Sequence, residues 1–110
     1  MLHETIAKIE SRLQGSNGVD PRVRAELVEL LGQLKAQVAE LAKTHEEEAQ
    51  SIAGFAEVSA LEATRQTRNP LSLQHSLNGL SSSVHDLEET HPKLVSLVNR
   101  IATMLANMGI

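Results

Sequence analysis

No cysteine occurs in the 110 residues, nor any tryptophan or tyrosine, and Phe55 is the only aromatic side chain. The first absence removes disulfides and thiolate metal sites. The second removes the ring faces on which nucleic-acid bases stack, and no segment forms a basic stripe in their place, so nucleic acid is not an expected partner. Proline is confined to Pro21, Pro70 and Pro92, and Gly32 and Gly54 are the only glycines between Pro21 and Asn69. No apolar run approaches the ~18–20 residues of a membrane span. The start, Met1-Leu2-His3-Glu4-Thr5, lacks the cationic head and apolar run of a signal peptide. Without tryptophan or clustered lysine and arginine, a helix lying in a membrane surface is not expected either. The expectation is a cytoplasmic chain.

What is present points to helix. Hydrophobic residues make up 41% of the chain, enough to form a core, and they are nearly all Leu, Ala, Val and Ile. Sheets favour aromatic and β-branched residues, whereas Ala, Leu, Glu, Gln, Lys and Arg favour helix. The fold class read from this is all-α, in one domain. The net charge of −4 is spread thinly.

Four segments follow from apolar spacing. Leu2, Ile6, Ile9 and Leu13 line one face of a short helix over about residues 2–14, which Gly15-Ser16-Asn17-Gly18 ends. Asp20 and Pro21 then give a start signal: Asp20 can cap free N–H groups, and a proline is tolerated at the first helical position. Leu27, Leu31, Leu34, Val38 and Leu41 alternate four and three apart, and the rhythm runs on through His45, Glu48, Ile52 and Phe55. One helix over 21–66 would be about 68 Å long. The continuous form is preferred to a break near Gly54. Asn69-Pro70 repeats the start signal for a helix over 70–91, with Leu73, Leu77, Leu80, Val84, Leu87 and His91 on its stripe. Pro92 ought to break it, yet Leu94, Val98, Ile101, Leu105 and Met108 continue in phase. The last segment, 92–107, is therefore either a kinked continuation or a restart capped by Thr90 or His91, and Asn107 and Gly109 supply the stop.

Two long stripes joined by Gln66-Thr67-Arg68-Asn69 read as an antiparallel, coiled-coil-like helical hairpin. Facing positions should sum to about 135, which pairs Leu41 with Leu94, Val38 with Val98, Leu34 with Ile101 and Ile52 with Val84. The short first helix would lie beside the early part of helix two and the Leu94–Met108 segment. That makes a three-helix bundle at one end and a bare two-helix arm at the other. Val58, Leu61 and Leu71 remain off the seam on the arm, which favours pairing with a second copy as a homodimer.

The C-terminal stretch carries a resemblance. Glu88-Glu89-Thr90-His91-Pro92-Lys93-Leu94-Val95, then Val98-Asn99-Arg100-Ile101 and Leu105-Ala106-Asn107-Met108-Gly109-Ile110, resembles the ending of a family of short bacterial helical proteins of unknown function. Its N-terminal part is similar too, with a short Leu/Ile helix, a Gly/Pro/Asp break and a helix like Arg24 to Leu41, and residues 43–68 resemble an insertion. The resemblance implies a bacterial origin and draws attention to His91 and Pro92. It implies no activity.

The candidate site is a polar layer in the apolar stripe. His45 and Glu48 stand where the pattern wants leucine, opposite His91 and Leu87, with Glu88 and His85 at the rim. Buried ionisable groups are costly unless paired. The layer is therefore solvated, or a structural His–Glu cluster that fixes register, or a metal or small-ligand site built from His45, Glu48, His91 and perhaps His85. A structural role is favoured over a ligand site, and no cofactor is expected. Glu46-Glu47-Glu48 reads as a solvated acidic face midway along helix two. Ser81-Ser82-Ser83 reads as exposed filler, and Arg65 with Arg68 as a small basic spot at the hairpin tip. With no Gly-x-Ser-x-Gly and no phosphate-cradling loop, no enzyme is expected. The leading function is a non-enzymatic interaction or scaffolding module working by helix-to-helix contact. The alternative is a bundle that binds a metal or small ligand at the polar layer.

Overall fold

The computed structural model describes residues 7–9, 11, 20–65, 67 and 69–108. The chain is all-α, as the composition requires. Its elements are α1 (Pro21–Leu41), α2 (Glu46–Ala63), α3 (Pro70–Ser83), a 3-10 turn (His85–Leu87) and α4 (Pro92–Met108). Residues 7–9 and 11 are also helical, and Ile9 is buried in the common core. The rest of the segment expected as a 2–14 helix lies outside the described residues, as do the Gly15–Gly18 break, Arg68 and Gly109.

Both start signals work as read. Asp20 Oδ1 accepts from the Arg22 N–H at 2.8 Å with Pro21 as the first helical residue. Asn69 Oδ1 accepts from the N–H groups of Leu71 and Ser72 at 3.1 and 3.2 Å, with Pro70 next. Each cap satisfies helical N–H groups that have no partner within the helix.

The continuous 21–66 helix is not formed. It breaks at Ala42–His45 rather than at Gly54, which lies within α2, open to solvent. The helix over 70–91 likewise ends at Ser83, and the chain restarts at Pro92. The hairpin is thus folded in half at two joints. Its principal extents are 37 × 24 × 22 Å, too short for any helix of about 68 Å. There is accordingly no bare arm. α1 packs chiefly on α4 and α2 chiefly on α3, the pairings of the 135 rule, while folding back also sets α3 against α4 and α2 against both α1 and α4.

The physical reason lies in α2. Its small residues Ala49, Ala53, Ala56, Ala60 and Ala63 are each at most 1% exposed, a face that an extended arm would leave in water. Apolar burial is worth about 25 cal/mol per Å², so closing the two halves together outweighs the hydrogen bonds lost at a joint. The same change resets the phase of α2. Phe55, expected on the seam, is 39% exposed. Ile9 and Lys8 line a cavity of about 220 Å³ with Glu57, Ala60 and Leu61, which sets the first segment beside the end of α2 rather than the early part of helix two.

Candidate functional site

Both joints fall at one end of the bundle, and the same five-residue pattern builds each: Leu41-x-x-Thr44-His45 and Leu87-x-x-Thr90-His91. In each, the histidine N–H donates to the leucine carbonyl four residues back, at 2.7 Å in both cases. The threonine Oγ1 lies within hydrogen-bond distance of the histidine Nδ1, at 2.8 Å for Thr44–His45 and 2.9 Å for Thr90–His91. The histidine carbonyl then accepts the first bond of the next helix, from Ala49 at 3.0 Å and from Val95 at 3.2 Å. At His45 the backbone turns to φ −136°, ψ 66°, while Ala42 before it keeps helical angles. A helix is interrupted here with neither glycine nor proline.

The duplication extends into the core. Leu27, Leu30, Leu31, Leu34, Val38 and Leu41 of the first half are all buried, and so are Leu73, Ser76, Leu77, Leu80, Val84 and Leu87, each 46 positions later. Each half is a helix, a Thr-His joint and a second helix, with the 3-10 turn His85–Leu87 standing between helix and joint in the second half alone. The two halves differ at the residue after histidine: Glu46 opens α2, and Pro92 opens α4.

The facing rule brings His45 and His91 together. Their rings meet edge to face with centroids 5.7 Å apart. Both side chains are half-buried, so they form a partly wet pair at the apex rather than a sealed polar layer. Glu48 does not complete a ligand set with them. Among the described residues no three His, Cys, Asp or Glu side chains converge to hold a metal ion, because Glu48 sits one turn into α2 while the rings meet at the joint. His85 and Glu88 stay at the rim, 3.7 Å apart and mostly exposed.

The acidic run has a role that its position explains. Glu46, Glu47 and Glu48 form the first turn of α2 and are not midway along a helix. Carboxylates at a helix N-terminus complement the unpaired N–H groups and the helix dipole. Glu40, Asp86, Glu88 and Glu89 add to them, so half of the chain's 14 acidic residues gather at this end, around the two histidines. At the opposite end Arg65 is engaged: its Nη1 donates to Glu62 at 2.7 and 3.0 Å, and the Glu62 side chain is only 8% exposed.

Two surface features remain. An open groove of about 590 Å³ runs along α4, floored by Val95 and Met104 and bordered by Glu88 and by an exposed ion pair of Arg100 with Glu26, 3.4 Å apart. On the other side, Phe55, Val58, Leu61 and Leu71 are 39%, 47%, 42% and 66% exposed. They lie on the paired helices α2 and α3, where the Phe55 ring rests against Gly79. No helix among the described residues is long and apolar enough to cross a membrane.

No curated protein matches the chain, and no solved structure does. A family pattern does match, from Leu27 within α1 to Ile110, a range that holds both Thr-His joints, the His91-Pro92 pair, residues 43–68 and, of the N-terminal likeness, only Leu27 to Leu41. On that match over residues 27–110, the chain belongs to the family DUF4404, a domain of unknown function.

Proposed function

We propose that this chain is a non-enzymatic helical interaction module that associates with a second copy of itself through the outer face of α2 and α3. The observation that carries this reading is the apolar surface of Phe55, Val58, Leu61 and Leu71 on two adjacent helices. Single exposed apolar residues are ordinary, but Phe55, Val58 and Leu61 recur three apart along α2, with Leu71 on the helix that α2 packs on, which is the kind of surface that interfaces cover. At the edge of this face Arg65 and Glu62 neutralise one another.

Sedimentation equilibrium read by interference suits a chain without tryptophan or tyrosine. The expected result is a dimer whose dissociation constant rises at least about tenfold, or ~1.4 kcal/mol, when Val58→Asp and Leu71→Asp are combined. A monomer throughout the micromolar to millimolar range would overturn the reading. So would a dimer that the double substitution leaves unchanged.

A further inference from the structure

We infer that the Ala42–His45 joint is a hinge through which α1 can leave its own bundle and take the same place in a second copy. The inference rests on the reading that the chain self-associates, and not on which face does so.

Three observations converge on it. The first is the difference between the two joints, which share one pattern and three hydrogen bonds, although α3 has already given way to a 3-10 turn before the second. Pro92 has no N–H and its ring clashes with the turn before it, so helix cannot run straight from α3 into α4. Glu46 imposes no such bar. Neither Gly nor Pro lies between Leu41 and Glu46, and all residues there are compatible with helix.

The second is phase. Leu34, Val38 and Leu41 continue through His45 and Glu48 to Ile52 in unbroken four-three alternation. Restoring helical angles at His45 joins α1 to α2 as one rod and regains the hydrogen bonds that the joint forfeits. That rod is the helix the sequence spells out, and the folded bundle interrupts it.

The third is the way α1 is held. It packs mainly on α4, the element farthest from it along the chain, and less on α2. Its apolar stripe is therefore held by a surface that a second copy supplies identically, including the Arg100 partner for Glu26. Exchange of an identical element between two chains costs little, because the packing given up within one chain is rebuilt between the two. The second copy is the occupant because it carries the same α4 on which this α1 packs.

Dipolar distance measurement on the full chain tests this. The chain has no cysteine, so spin labels at Ala25→Cys and Thr67→Cys, both exposed, attach nowhere else. In the closed bundle the two lie within a molecule of 37 Å greatest extent. With α1 and α2 joined, residues 25 and 63 alone are about 57 Å apart. Labelled protein is diluted into unlabelled protein, so that only distances within one chain are read. The expected result is a long-distance population that grows with the dimer fraction. It should vanish in Glu46→Pro, which places proline at the first position of α2 as Pro92 stands in α4, while helicity is kept. A dimer whose internal distances all stay short overturns the exchange and leaves self-association standing. A long-distance population that persists in folded Glu46→Pro overturns the hinge. Absence of any dimer overturns both.

Discussion

Replacing Gly79 by alanine should affect stability differently in the wild type and in a chain without the Phe55 ring. A methyl group at Gly79 would collide with three carbons of that ring, whereas one at Gly32 or Gly54 would meet nothing within 4 Å. All three glycines are helical and none has positive φ, so in each case alanine brings the usual helix gain of about 0.5–1 kcal/mol. At Gly79 that gain is opposed. The ring must lift off α3, and it is already 39% exposed. Full burial of a phenylalanine is worth ~1.5–3 kcal/mol, so exposing about half of what remains covered costs roughly 0.5–1 kcal/mol. The two effects nearly cancel. Gly79→Ala should therefore leave stability close to unchanged in the wild type and raise it by about 0.5–1 kcal/mol in Phe55→Ala. Urea unfolding followed by far-UV circular dichroism reads all four members of the cycle, with Gly32→Ala and Gly54→Ala as controls that should both stabilise. An equal gain from Gly79→Ala in both backgrounds would refute the ring-on-glycine contact. It would also remove the anchor that holds Phe55 flat in the proposed interface.

Two further substitutions probe the frame. Ser59 is fully buried in α2 and its hydroxyl has no hydrogen-bond partner among the described residues. Ser59→Ala should stabilise by about 1–2 kcal/mol in thermal unfolding, whereas Ser76→Ala, which loses a bond to the Leu73 carbonyl, should gain less. Asn69→Ala removes the acceptor for two N–H groups of α3 and should cost ~1 kcal/mol in the same assay, with Asn69→Asp largely retaining the cap.

The partners of each helix are more legible in the sequence than the path between them. Pairing of the first long helix with the last, and of the second with the third, depends only on where the chain reverses near residue 67, and folding the hairpin in half leaves those helix pairings intact. The joint at 42–45 is hidden because its residues are ordinary helix formers and the apolar rhythm passes through them. Thr44-His45-Glu46-Glu47-Glu48 has the form of a helix start, with acidic residues in the first turn, but the stronger leucine rhythm masks it. The second Leu-x-x-Thr-His, 46 residues on, is the available signal, since there Pro92 makes the break explicit. His45 and His91 do meet, edge to face, whereas Glu48 joins them only through an i, i+3 spacing that requires a continuous helix. Phe55 leaves the seam for the same reason. The buried face of α2 is mostly alanine, which a search for leucine stripes passes over.

The pairing of the first long helix with the last has a consequence for synthesis. A ribosome adding about 5–20 residues per second takes roughly 3–13 s to travel from Leu41 to Met108. Through that interval α1 is complete and its docking surface does not yet exist, although α2 and α3 can already close on each other. On a polysome, where neighbouring nascent chains stand at staggered stages, a waiting α1 would be within reach of the α4 of the chain ahead before its own exists, the order that the inferred exchange would use.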